Sequence, residues 1–246
     1  MLRRFRADLH VHTCLSPCGD LTMSPRKIAA QACKRNIDIL AICDHNSAEN
    51  VPAVMRAARM REVTVLPGME ICTREEVHVL AIFEYDSLAS AMQSIVYDRL
   101  PGKNNADVFG LQVVANEHDE VVGIQERLLA GAVDLSVDEI VSDIHALGGV
   151  AIASHIDREH SSVISQLGFI PATLRFDALE LSVHISREEA KDRFAQYAEY
   201  AFVRNSDAHF LDDVGNNTCE YLLERPTFPE LVKALRRTDG RMVCEG

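Results

Sequence analysis

Tryptophan is absent from these 246 residues, and aromatic side chains make up only 6% of them. Grooves that hold single-stranded nucleic acid stack successive bases on aromatic rings, and little of that equipment is present. Cations are also in short supply. The 25 Lys and Arg stand against 37 Asp and Glu, a formal net charge of −12. A surface of that sign repels a phosphate backbone, which argues against long nucleic acid as a partner. No run of about 18 apolar residues occurs, so no membrane-spanning helix is expected. The opening "MLRRFRADLH" carries charge but no apolar core, so it does not read as a signal peptide. The seven cysteines are odd in number and scattered, which argues against a disulfide framework and for a cytoplasmic protein with reduced thiols. Cys14 and Cys18 lack a second cysteine pair and make a poor zinc site. A GxxxxGK phosphate loop is missing too, which removes nucleotide-driven work from consideration.

What the chain does have is 47% hydrophobic residues in short runs that alternate with helical stretches. The runs "FRADLHVH", "IDILAIC", "VTVLPG", "VHVLAIF", "GVAIAS", "ALELSV" and "AFVRN" read as strands, several of them continuously apolar as expected of strands covered on both faces. Between them, "SPRKIAAQACKRN" offers Ser24 as N-cap and Pro25 as first helical residue. "AENVPAVMRAARMRE", "LSVDEIVSDIHALGG" and "SREEAKDRFAQYAEY" follow the helical period, and glycine closes "HALGG". Alternation of this kind predicts parallel β/α units, as a barrel or a doubly wound sheet in one domain spanning 1–246. The less regular stretch 84–135 reads as an insertion on the barrel and a candidate lid.

Side chains alternate along a strand, so "DLHVH" places Asp8, His10 and His12 on one face. Such a polar face is costly in a buried strand unless it has partners. The arrangement recurs at other strand ends, which supply Asp44 and His45, Glu70, His155, and Asp207 and His209. His78 differs in opening a run instead of closing one. In a β/α barrel the carboxyl ends of the strands carry the active site. Imidazole and carboxylate donors suit Zn, Mn or Fe, and there are too many for one ion, so two or three divalent metals are expected.

The ordered set "DLHVHT", "ICDHNS", "PGMEI", "EVHVLAIF", "IASHI" and "NSDAH", running from residue 8 to 209, resembles the polymerase and histidinol phosphatase (PHP) superfamily. That resemblance implies a distorted (β/α)7, TIM-like barrel with a trinuclear metal site. By motif, His10 and His12 would share a metal with Glu70 and Asp207. Glu70 would bridge to a second metal held by His78 and His155, and His45 and His209 would hold a third. Asp20 in "CLSPCGD" would complete that third site, and Asp8 and Asp44 would orient imidazoles. The sequence departs from family habit at "SHID", where His-Pro is common, and at Cys43, where threonine is usual.

The implied reaction is hydrolysis of a small phosphate monoester, nucleotide or histidinol-phosphate-like, by metal-activated water. No protein nucleophile is required. Arg158, His184 and Lys103 are candidate substrate contacts, because arginine suits bidentate phosphate binding and His184 ends a strand. His118, His145 and His160 read as structural or surface residues. An exonuclease acting on short RNA or DNA would use the same chemistry. A non-catalytic metal-bound scaffold would instead have lost ligands, and a metal-dependent amide or ring hydrolase would need a bridging lysine that these motifs do not contain.

Overall fold

The structure is a computed structural model that describes residues 1–244; the last two residues of the expected 1–246 unit lie outside it. Eleven strands occur among the described residues: β1 (Arg3–Val11), β2 (Ile39–Ile42), β3 (Thr64–Cys72), β4 (His78–Ile82), β5 (Val113–Ala115), β6 (Val121–Ile124), β7 (Val150–Ala153), β8 (Ala178–Leu181), β9 (Ala201–Arg204), β10 (Cys219–Leu223) and β11 (Met242–Cys244). Nine form one sheet in the order β11-β10-β1-β2-β3-β4-β7-β8-β9. The sheet curls until its far end meets β1. The His12 N–H donates to Ala208 O (3.0 Å), the Ala208 N–H to His10 O (3.3 Å), and the Leu9 N–H to Asn205 Oδ1 (2.8 Å). The seven strands from β1 through β9 that close this way are the seven apolar runs of the sequence, and the fold is the distorted TIM-like barrel.

Two features depart from the sequence reading. β4 pairs antiparallel with both β3 and β7. This reversal explains His78: the start of an antiparallel strand lies at the same end of the barrel as the finish of its parallel neighbours. The face expected to hold Asp8, His10 and His12 together is also broken. The β1–β2 register shifts between Asp8 and Val11. Leu9 packs in the apolar cluster with Phe5 and Ala7, while Val11 packs in the other one. Such a bulge re-aims side chains without breaking the strand.

Alternation along the strands builds two apolar layers. Ile39, Ala41, Leu80, Ile82, Ile152, Ala178 and Val203 face the barrel interior, and their neighbours Leu40, Ile42, Val79, Ala81, Ala153 and Leu179 face the helices. Helix Pro25–Lys34 starts as expected with Pro25 in its first turn, but the Ser24 hydroxyl makes no capping bond and is buried without a partner. Helix Val137–Ala146 has a complete capping box from Ser136 and Glu139, and Gly148 beyond its end takes φ +75°. "SREEAKDRFAQYAEY" yields helix Arg187–Arg193 and then a single 3-10 turn.

The stretch 84–135 is more ordered than its composition suggests. It holds helix Asp86–Arg99 and the separate β5–β6 hairpin. Asn50 grips the hairpin twice, donating to Val113 O (3.0 Å) and accepting from the Ala115 N–H (2.9 Å). Asn46 donates to Leu129 O (2.8 Å) and Gly131 O (2.7 Å). No helix among the described residues is long and apolar enough to cross a membrane.

β10, β11 and helix Phe228–Leu235 are stapled by Glu230. Its carboxylate accepts from Arg241 Nε (2.9 Å) and Nη2 (3.1 Å) and from the Glu224 N–H (2.8 Å). The Arg241 bond chiefly draws the Glu230 carboxyl down to about 2. A carboxyl lowered by folding stabilises the fold above its unfolded value of 4.5, and that contribution disappears as pH falls toward 2. Glu230→Gln should therefore lose about 1 kcal/mol at neutral pH, roughly 2–4 °C in melting temperature. The gap from wild type should narrow below pH 4.5 in thermal melts; a gap independent of pH would refute the assignment.

Candidate metal centre

Eight side chains converge where the barrel strands open. Glu70 is the hub. Contrary to the expectation that its strand ends before it, it lies within β3, because antiparallel pairing with β4 carries the strand on to Cys72. Only 1% of its side chain is exposed. Its Oε1 lies 3.1 Å from His78 Nδ1, 3.3 Å from His155 Nε2 and 3.4 Å from His10 Nε2. Its Oε2 lies 3.1 Å from His45 Nδ1 and 3.6 Å from His12 Nε2. Asp207 Oδ1 lies 3.1 Å from His12 Nε2, 3.2 Å from His10 Nε2 and 3.7 Å from His209 Nδ1.

The hydrogen bonds behind the rings decide what faces inward. His10 Nδ1 is 3.1 Å from both oxygens of Glu180, so it carries a proton. Ser16 Oγ donates to Asp44 Oδ1 (2.7 Å) and therefore accepts from His12 Nδ1 (2.9 Å). In their neutral forms both rings then present lone pairs at Nε2, and these two nitrogens are 3.1 Å apart. His209 Nδ1 donates to Asp207 O (2.7 Å), which frees its Nε2 as well. Glu70 Oε1, His78 Nδ1 and His155 Nδ1 are buried without a hydrogen-bond partner. A pocket of acceptors packed this closely is stable only around positive charge.

The electrostatics agree. Burial opposes protonation of His10, yet Glu180, Asp207 and Glu70 outweigh it and push the ring well above its ordinary value. His78 is likewise raised to about 10 by Glu70 against its burial. Burial holds His12 down at about 4, helped by the neighbouring His209, and burial also holds His45 well below the usual range. Against their own burial, Glu70 and Asp207 are held low by these imidazoles, His78 and His10 foremost. Three sets of ligand atoms lie within 4.8 Å of one another: His12, His45 and His209; His10, His12 and Glu70; and His45, Glu70 and His78.

Backbone conformation aims several of these groups. Asn46, His155 and Asp207 have φ of 52°, 28° and 49°, a region that residues other than glycine seldom enter and that tends to mark functional turns. A Cβ on Gly19 would lie 2.4 Å from Thr13 O, so only glycine lets the loop after β1 fold back tightly. That fold brings the Asp20 N–H to His209 O (2.9 Å).

The remaining sequence candidates separate. One oxygen of the Asp20 carboxylate accepts from the Thr22 N–H (2.8 Å), and Asp20, like His155 and Asp207, lies outside the three sets of mutually close ligand atoms. Asp44 reaches His12 only through Ser16, while it also accepts from Thr13 N–H and Oγ1 (both 2.7 Å). Asp8 touches no imidazole. The bulge turns it toward the Ser206 and Gly215 N–H groups (3.0 and 2.9 Å), and burial raises it to about 6. Arg158 Nη2 meets Asp207 Oδ2 at 2.7 Å. Arg158 and His184 line a cavity of about 470 Å³ with His78 and His155, joined by His160, which is exposed at the surface as one of the sequence readings has it. Lys103 is exposed, pairs through its backbone with Arg127 in the insertion, and is not among the residues that line that cavity. His145 bonds Asp177 (2.9 Å), and His118 is exposed. Glu180 was missed. Its signal was a single carboxylate on the inward alternation of an otherwise apolar strand, "ALEL".

A β/α barrel with a histidine-rich, carboxylate-bridged centre at its strand ends defines the class of protein. Within that class, the family model of the PHP domain matches residues 8–201, and that of the PHP-associated region matches 187–239. The chain belongs to the PHP domain family. It is 25% identical over 98% of its length to the uncharacterised protein YqxK of Bacillus subtilis, and spans 64% of that protein. A 5'-3' exoribonuclease of Haemophilus influenzae is 28% identical over 78 residues, 30% of this chain and 27% of the enzyme. The lesion-specific endonuclease PfuEndoQ of Pyrococcus furiosus superposes with a TM-score of 0.73 at 18% identity, covering 98% of this chain and 58% of that one. A structure of endonuclease Q with a 27-mer duplex bearing an abasic lesion at its active site superposes at 0.75, with 17% identity and the same coverage.

The last comparison overturns the expectation that long nucleic acid is not a partner of this fold. Net charge sums over the whole surface, whereas screening limits each charge to a reach of about 8 Å at physiological salt. A net negative charge therefore says little about the local field at a mouth whose side chains could hold divalent cations.

Proposed function

We propose that the chain is a metal-dependent hydrolase of phosphate esters, acting on phosphodiester bonds in nucleic acid. The cluster around Glu70 carries this reading, since imidazoles and carboxylates packed this closely are a donor set suited to divalent cations. His10, His12, His45, Glu70, His78, His155, Asp207 and His209 would hold them. Bound there, such ions supply Lewis acidity at the phosphoryl oxygens and a water deprotonated near neutral pH.

The protein's own groups do the rest. Glu180 and Ser16 fix which nitrogen His10 and His12 offer. Arg158, with 35% of its side chain exposed and one edge on Asp207, has donors left for a phosphate oxygen at the rim. His160 and His184 line the same cavity and give the leaving portion a polar wall. The likeness in fold to endonuclease Q, over 98% of this chain and 58% of that one, and the partial likeness to the exoribonuclease support a nucleic-acid substrate. A small phosphate monoester is the second reading, favoured by the cavity of about 470 Å³, which is the size of one small molecule.

The test is a panel given to Mn²⁺-loaded protein: duplex DNA with and without an abasic site, single-stranded DNA and RNA, and nucleoside monophosphates. Strand cleavage supports the first reading. Phosphate release from monoesters alone supports the second, and neither product from metal-loaded protein defeats both. Arg158→Ala should raise KM about 10–100-fold, the worth of one charge-assisted phosphate contact, with a smaller change in kcat.

A further inference from the structure

Glu180 is 1% exposed and holds four hydrogen-bond distances at once. Both its oxygens lie 3.1 Å from His10 Nδ1. Oε1 also accepts from Asn205 Nδ2 (2.7 Å), and Oε2 from the His155 backbone N–H (2.9 Å). Asn205 in turn accepts the Leu9 N–H through Oδ1. One carboxylate on β8 thus ties the ends of β1, β7 and β9, the first two directly and the third through Asn205. At β7 it grips the residue whose φ is 28°.

We infer that Glu180 is a positioning residue that fixes His10 with its proton on Nδ1 and its lone pair on Nε2, and that pins the backbone turn from which His155 reaches the metal centre. This rests on the metal reading above and names a residue outside the ligand set that the centre depends on. The chemistry is specific to a carboxylate. Both oxygens already accept from a fixed N–H, so a glutamine placed there must turn its NH₂ toward either Asn205 Nδ2 or the His155 N–H. Donor then faces donor on that side, and only one neutral oxygen is left to accept from His10 Nδ1.

The experiment is a titration of the metal-free full chain with Zn²⁺ and with Co²⁺, the latter read by its visible absorption. Glu180→Gln should weaken the tightest site about 10–100-fold, the usual loss when the partner behind a ligating histidine is removed. In a His10→Ala background the same substitution should add no loss at the ion that His10 holds. Glu180→Gln with Asn205→Asp should recover most of the affinity, because the new carboxylate accepts from the glutamine NH₂ while still accepting from Leu9 N–H. That rescue also answers the case in which Glu180→Gln alone folds poorly. Unchanged Zn²⁺ affinity in Glu180→Gln, full additivity with His10→Ala, or failed rescue in a well-folded double variant would each overturn the inference. Wild-type protein that binds neither ion would instead overturn the metal centre itself.

Discussion

Glu70→Gln will fold, bind fewer metal ions than wild type and hydrolyse phosphate esters at least about 10³-fold more slowly. The geometry dictates the size of the effect. Five imidazoles lie 3.1–3.6 Å from the two Glu70 oxygens, so no other side chain is shared so widely. Removing its charge takes several kcal/mol from whatever cationic centre forms there, and each 1.36 kcal/mol is tenfold in rate. The metal-free fold should tolerate the change better than a broken buried ion pair usually does. His10 and His78 are held protonated partly or mainly by Glu70, and each can give up its proton when that anion goes. Elemental analysis and turnover on the same preparation check the prediction. A Gln variant with wild-type metal content and wild-type turnover would remove Glu70 from the centre.

The second large effect is on stability. Adding Mn²⁺, Fe²⁺ or Zn²⁺ to chelator-treated protein at about a thousand times the dissociation constant should stabilise the fold by about 4 kcal/mol, or roughly 8–16 °C in melting temperature. The gain should grow with pH from about neutral toward pH 10, where the His78 proton is lost, and protons should be released on binding. The sign follows from His10 and His78. Both are raised in the metal-free fold, so ions must displace their protons, and competition eases as pH rises. Calorimetry in two buffers of different ionisation enthalpy counts those protons. No melting shift with any of the three ions would contradict the reading of the cluster.

Much of this was legible in the residues. Several of the seven barrel strands, β2 and β7 most clearly, are continuous apolar runs, because strands buried on both faces have no polar side to interrupt them. Polar residues at the ends of those runs could then be gathered by the rule of the fold alone. Strand direction was not legible: composition is the same either way, and only His78 opening its run hinted at β4. Nor was the β1 bulge, which depends on pairing with β2 and sends Asp8 away from the imidazoles. Nor was the local turn at Asp20, where one carboxylate oxygen accepts from the Thr22 N–H while the backbone N–H meets His209 O. Glu180 shows the opposite failure. It lies inside a strand where end-of-strand reasoning does not look.

The seam that closes the barrel also sets the order of events during synthesis. His10 and His12 meet Asp207 and the 205–208 backbone across almost 200 residues of chain. A nascent polypeptide that has not yet reached residue 209 cannot assemble the centre, however well its early β/α units have formed. Contacts of such long range are late and slow to make. Acquisition of ions at this site would therefore follow translation of the barrel, because its ligands come from both ends of the closing seam.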